Sequence, residues 1–159
     1  MIARPLPVMF VIVLLSAWLG AALVVAASVA PAAFAVLPSR TLAGALVGKV
    51  LPAVFWSGIV VALVGAYVAR IDSVGAMATL ATVGLLVCCA VAQLVISPRI
   101  ARIRESIGGP VDALSPGDPR RQAFGQLHGL SVGVLGVGVL AAAVAIVLFA
   151  RYLTTRTTP

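Results

Sequence analysis

Charge is scarce in this chain. Asp, Glu, Lys and Arg together make up 9% of its 159 residues, where a globular protein carries about 25%. Only Asp72, Glu105, Asp112 and Asp118 are acidic, and His128 is the sole histidine. From so few groups, with every carboxylate in a connection, neither a Ser-His-Asp set nor a carboxylate pair for acid–base work is readily assembled. The two cysteines, Cys88 and Cys89, are adjacent and lack C-x-x-C spacing. They read as small apolar packing residues, without the further ligands a soft-metal site needs. A single histidine leaves no axial pair for a b-type haem within one chain. Gly133, Gly136 and Gly138 lie inside an apolar run and not after a strand, so they form no phosphate loop. No enzyme activity, metal or cofactor is expected.

What is present is apolar and long. Residues 5–39, 50–69, 73–98 and 122–150 contain no charged side chain, and the charges crowd into the gaps between them. Each stretch reaches the roughly 20 residues a helix needs to cross a ~30 Å hydrocarbon core. Helices satisfy their backbone hydrogen bonds internally, which an isolated strand in lipid cannot do. The fold class is therefore all-α, an integral membrane four-helix bundle forming a single membrane domain. The Ala, Val, Gly and Arg richness is that of a GC-rich bacterial genome. The first apolar run far exceeds the h-region of a cleaved signal peptide, and cleavage after Ala30 would leave Pro31 behind the cut, so the first helix is expected to stay.

The pattern predicts helices over about 7–37, 42–69, 74–96 and 123–152, a polar loop over 99–122 and a tail over 153–159. Pro31 is expected to kink or end the first helix, and Ser97-Pro98 to break the third. The connection at Arg70–Ser73 is so short that the second and third helices must be antiparallel neighbours. Within the polar loop, Ile100, Ile103 and Ile107 share one helical face. This fits either a short helix lying among headgroups or an ordinary solvated connector.

Net charge is +7, yet seven of the eleven basic residues sit beside the expected membrane ends, where such residues set topology and meet anionic lipid. No nucleic-acid motif accompanies them, and no nucleic acid is expected as a partner. Arg40, Lys49, Arg99, Arg102, Arg104, Arg120 and Arg121 fall on one side, and Arg4, Arg70, Arg151 and Arg156 on the other. The excess places the first and third loops in the cytoplasm and both termini in the periplasm.

Small residues recur every four positions at Gly125, Gly129 and Gly133, and again at Gly44 and Gly48. That spacing favours close helix contact, within the bundle or with another subunit, so a homo-oligomer or a place in a larger membrane complex is expected. Polar residues at membrane depth are the functional leads, since each costs free energy unless partnered. Gln93 near the end of the third helix, His128 and Ser131 near the start of the fourth, and Lys49 are all expected at one membrane level. Their meeting makes either an interhelical hydrogen-bond clamp or a proton, metal or solute site. His128 is expected to face other helices, with Gln93, Ser131 or a backbone carbonyl in reach. Tyr67 and Tyr152 fit the membrane interface, whereas Trp18 and Trp56 are deep enough to pack between helices or on a partner.

An ordered series of short motifs runs through the chain: Trp18-Leu19-Gly20, Ala30-Pro31 followed by Phe34 and Leu37, Ala43-Gly44, Ser97-Pro98-Arg99, and Leu127-His128-Gly129-Leu130-Ser131. In order and layout it resembles the transmembrane protein 205-like family of small four-helix membrane proteins, whose domain has no assigned function. A more distant likeness runs to the copper-resistance D membrane domains. The resemblance implies a bacterial inner-membrane location, and its human member's association with platinum-drug resistance implies metal or drug export. Two functions follow as expectations: a small transporter-like protein for a metal, drug or solute, or a non-catalytic accessory subunit packing through small-residue faces.

Overall fold

The computed structural model describes residues 5–157, with side chains over 6–155. Residues 1–4 and 158–159, and the side chains of Arg4 and Arg156 counted for orientation, lie outside the described residues. The described chain folds into four long antiparallel helices. Helix α1 runs Pro5–Val24, continues through a π segment at Val25–Val29, and finishes over Ala30–Val36. Helix α2 is Arg40–Ile71. Helix α3 joins Ala76–Ala90, a second π segment at Val91–Ile96, and Ser97–Ile107. Helix α4 is Pro119–Thr157. No strand occurs among the described residues.

Local chemistry sets the ends. Ser39 is extended, and its hydroxyl accepts from the Leu42 N–H at 3.2 Å, capping α2. Gly108 at φ 65° closes α3 by giving its N–H to the Arg104 carbonyl, a conformation that glycine adopts without a Cβ penalty. Pro119 opens α4 behind Asp118, whose carboxylate accepts from the Arg120 N–H at 2.8 Å.

Neither Pro31 nor Pro98 ends its helix. The expected break at Ser97-Pro98 is absent, and α3 is helical from Ala76 to Ile107. A π segment precedes each proline, and the widened turn accommodates the ring and the missing donor. Ser97 helps by directing both its N–H and its hydroxyl, the latter at 2.9 Å, to the Ala92 carbonyl. Residues 100–107 are thus the end of α3 rather than a separate headgroup helix or a connector.

Each helix packs on its neighbours in sequence, and α1 also packs on α4, closing a ring. The core it encloses includes Val11, Leu15 and Trp18 of α1, Phe55 of α2, Leu85 of α3 and Phe149 of α4. Buried polar atoms there are bonded: Trp18 Nε1 donates to the Val54 carbonyl at 2.8 Å, and the Thr82 hydroxyl donates to the Ala78 carbonyl at 3.0 Å. The Tyr152 hydroxyl donates to the Asp72 carbonyl at 2.6 Å, tying α4 to the α2–α3 turn. Outward faces carry Leu6, Phe10, Leu63, Leu80 and Leu140, all well exposed. Such an apolar exterior is the surface a bilayer covers, and the four helices span it.

The glycines that bring helices together are not the expected ones. A Cβ on Gly58 would lie 2.5 Å from Cys89 Sγ and 2.8 Å from Trp18 Nε1, and one on Gly65 2.9 Å from Thr82 Cγ2. Around Gly125, Gly129 and Gly133 an added Cβ meets nothing within 4 Å. The close contact expected there is therefore not made within the bundle. Gly129 and Gly133 lie on an exposed small-residue surface of α4, and Gly125 lines an open space between α4 and the other helices.

Candidate functional site

Both π segments and both prolines fall at the end of the bundle where Arg40, Arg99, Arg102 and Arg104 gather. There α2, α3 and α4 separate, with Phe34 of α1 beside them, around a cavity of about 720 Å³. Its walls are mostly apolar: Phe34, Val47, Leu51, Pro52, Ile100 and Phe124. Polar groups also line it: the Thr41, Ser97 and Ser131 hydroxyls and the side chains of Arg40, Arg104, Arg121, Glu105, Asp112 and His128.

Arg104 organises this space. Ile100, Arg104 and Ile107 stand at i, i+4 and i+7, so the arginine projects from the same face as the isoleucines. Its Nη2 donates to the Gly44 carbonyl at 3.2 Å, and its Cζ lies 5.3 Å from the centre of the Phe124 ring, a cation–π arrangement. A Cβ on Gly44 or Gly48 would come within 3.1 Å of the guanidinium nitrogens. The Gly44/Gly48 pair therefore makes room for a cation and not for a helix backbone. Phe124 in turn stacks on His128, with ring centroids 6.2 Å apart and planes 4° from parallel. The half-buried Arg104 has no carboxylate partner among the described residues, where the single ion pair joins Arg120 to Asp118 at 2.9 Å. Hydrogen bonds from Arg120 hold the Asp118 carboxyl below the ordinary carboxylate range, and Arg121 Nη1 donates to the Leu114 carbonyl at 2.6 Å, ordering the loop beside the cavity.

The four polar leads do not converge. His128 and Ser131 both line the cavity, Ser131 buried and His128 exposed towards it. His128 makes no hydrogen bond among the described residues, and its neighbour is the Phe124 ring. The expected clamp to Gln93 or Ser131 is absent because the α4 register turns the imidazole onto its own helix's preceding turn. Gln93 is outside the lining, and its Oε1 is buried with no partner among the described residues. Lys49 is exposed and also outside the lining, one residue past Gly48, so it points away from the cavity. Of the motif positions, Trp18 belongs to the core, Phe34 lines the cavity, Gly20 meets nothing within 4 Å of an added Cβ, and Pro31 and Pro98 follow the π segments. Trp56, expected between helices or on a partner, is 50% exposed.

Arg104 and Phe124 went unrecognised as site residues in the sequence, where Arg104 counted only towards orientation. The available signal was the arginine's place on the Ile100/Ile107 face. No cluster of three His, Cys, Asp or Glu side chains able to hold a metal occurs among the described residues.

The arrangement can receive an amphipathic molecule, with an anionic group at the guanidinium and an apolar part against the aromatic and aliphatic walls. No curated protein and no solved structure matches the chain. The family model described as "Domain of unknown function (DUF4149)" matches residues 13–108, from α1 through the cavity-lining end of α3. That is more than half of the chain, which belongs to the DUF4149 family.

Proposed function

We propose that this is a multi-pass protein of the bacterial inner membrane that handles a small amphipathic solute in a transporter-like role, through the cavity at its basic end. The observation that carries this reading is the cavity itself: about 720 Å³, with mostly apolar walls and three arginines and two carboxylates among its lining, within the ~300–1,000 Å³ of ordinary ligand sites. The resemblance to the transmembrane protein 205-like family lends support to drug or solute export. The described side chains offer the metal branch of that expectation no ligand cluster, and the copper-resistance likeness adds nothing to it. No reaction is proposed. The basic excess supports a cytoplasmic cavity end and periplasmic termini. Reporter fusions at residue 159 and within 111–119 test the orientation, which a cytoplasmic C-terminus would overturn.

The functional test compares cells lacking the protein, cells overproducing it, and cells overproducing Leu51→Trp, which fills the cavity. Accumulation of fluorescent amphipathic dyes of either charge is expected to change with the protein and to return to baseline with Leu51→Trp. Equal accumulation in all three overturns the reading. A second reading, the non-catalytic accessory subunit, is favoured by the open small-residue surface of Gly129 and Gly133. Stoichiometric recovery in a larger complex from mild detergent would support it.

A further inference from the structure

We propose that the cavity at the basic end holds the phosphate headgroup of a membrane lipid, with Arg104 as its counter-ion and the upper acyl chain against the apolar wall. This rests on the reading of that cavity as the working site, and it names the class of molecule that enters.

The first support is position. Helix α2 has 32 residues, about 48 Å at 1.5 Å per residue, well beyond the ~30 Å hydrocarbon core. If its charge-free stretch 50–69 occupies that core, Gly44 and Gly48 stand at the headgroup level. On α3 the charge-free stretch ends at Pro98, so Arg104 is also just outside it, and on α4 Phe124 lies at the beginning of the stretch 122–150. Three helices thus put the guanidinium at the depth of lipid phosphates, while Leu51 and Pro52 extend the same cavity towards the hydrocarbon.

The second support is electrostatic. A half-buried guanidinium in mostly apolar walls is costly unless an anion answers it. Arg104 has one hydrogen bond, to the Gly44 carbonyl, and no carboxylate partner among the described residues. Four of its five N–H donors remain for a ligand, and a planar fork suits phosphate oxygens. The other titratable groups facing the cavity are Arg40 and Arg121, the carboxylates of Glu105 and Asp112, and His128. Glu105 and Asp112 are exposed and form no ion pair with Arg104. They leave the Arg104 guanidinium free for an anion, and with Arg40 and Arg121 the cavity lining carries three arginines against two carboxylates. The cavity also far exceeds the needs of a free phosphate ion, and its Phe34, Leu51, Ile100 and Phe124 walls suit a chain.

The test uses full-length protein, purified and delipidated in mild detergent and titrated with single lipids while occupancy is read by native mass spectrometry. Phosphatidylglycerol and phosphatidylcholine are expected to bind one copy at a site that diacylglycerol, lacking the phosphate, does not fill. Arg104→Gln should lower phosphatidylglycerol affinity about tenfold or more, the effect of one charged hydrogen bond. Arg104→Lys should recover part of it, and Arg120→Gln, already paired with Asp118 outside the cavity, should change nothing. Thermal melts report folding. If Arg104→Gln does not fold, Gly48→Leu, which crowds the guanidinium, decides by the same loss. Unchanged binding in the folded variants, or equal binding of diacylglycerol, overturns the proposal. Full displacement of the lipid by millimolar inorganic phosphate would assign a small-anion site instead and overturn it too. Arg104-dependent lipid binding without protein-dependent dye accumulation would refute the transporter-like role alone. Dye handling lost in Leu51→Trp, with lipid binding indifferent to Arg104, would refute the lipid site alone.

Discussion

The two ends of the bundle use the same residue types in opposite ways. From the middle towards the Asp72 turn, glycine removes volume so that helices touch: Gly58 receives Trp18 and Cys89, and Gly65 receives Thr82. At the basic end, Gly44 and Gly48 remove volume so that helices stay apart, with a guanidinium between them. Buried polar atoms differ in the same way. Trp18 and Thr82 find carbonyls inside the core, whereas Arg104 meets one carbonyl and a ring beside an open cavity. The π segments at 25–29 and 91–96 both belong to the open end. In lipid no hydrophobic effect drives helices together, so association rests on close packing. A bundle tightly packed over one part of its length can therefore tolerate a gap over the other, and a gap at the headgroup level can hold a ligand.

The largest expected effect is at the closed part. Gly58→Leu should cost about 3 kcal/mol or more through overpacking against Trp18 and Cys89, seen as a collapsed thermal melt. Gly129→Leu should leave the monomer's melt within about 0.5 kcal/mol. An equal loss in both would break the distinction between the two ends. A change in oligomer state confined to Gly129→Leu would instead locate a subunit contact on α4.

Next comes Trp18→Phe, which removes the bond to the Val54 carbonyl and should cost about 2 kcal/mol in the same measurement. His128→Leu should then stay within about 0.5 kcal/mol of wild type, because the imidazole has a stacked ring and no hydrogen bond among the described residues. A loss as large as that of Trp18→Phe would show that a polar partner holds His128 after all.

The smallest effect belongs to the loop at the open end. The Asp118 carboxyl lies below its ordinary range because Arg120 hydrogen-bonds its charged form. That contribution is present above the unfolded carboxylate value and is lost as pH falls through the lower folded one. Protease sensitivity of residues 108–118 should therefore be flat from neutral pH downward and rise only below about pH 4. Asp118→Asn should show the higher sensitivity at every pH. A rise already at pH 6 would point to another group.

Hydropathy and charge spacing determined the membrane class, the number of helices, the antiparallel order across Arg70–Ser73 and the gathering of basic residues at one end. These follow from the bilayer's thickness and from the requirement that every backbone group in lipid be paired, which act on each segment alone. Helix rotation and register are settled between segments, and only the tertiary structure decided them. Gly125, Gly129 and Gly133 look like a contact face, but packing chose Gly58 and Gly65, seven residues apart on α2. Pro98 looks like a stop, yet an added residue in the preceding turn lets α3 continue and carry Arg104 to Gly44. His128 lines the cavity and Gln93 does not, while Arg104 and Phe124, 20 positions apart in sequence, meet because the end of α3 packs on the start of α4. Depth is a property of one helix and its solvent. The site is a property of how far each helix has turned about its own axis, and that is fixed by the side chains of the others.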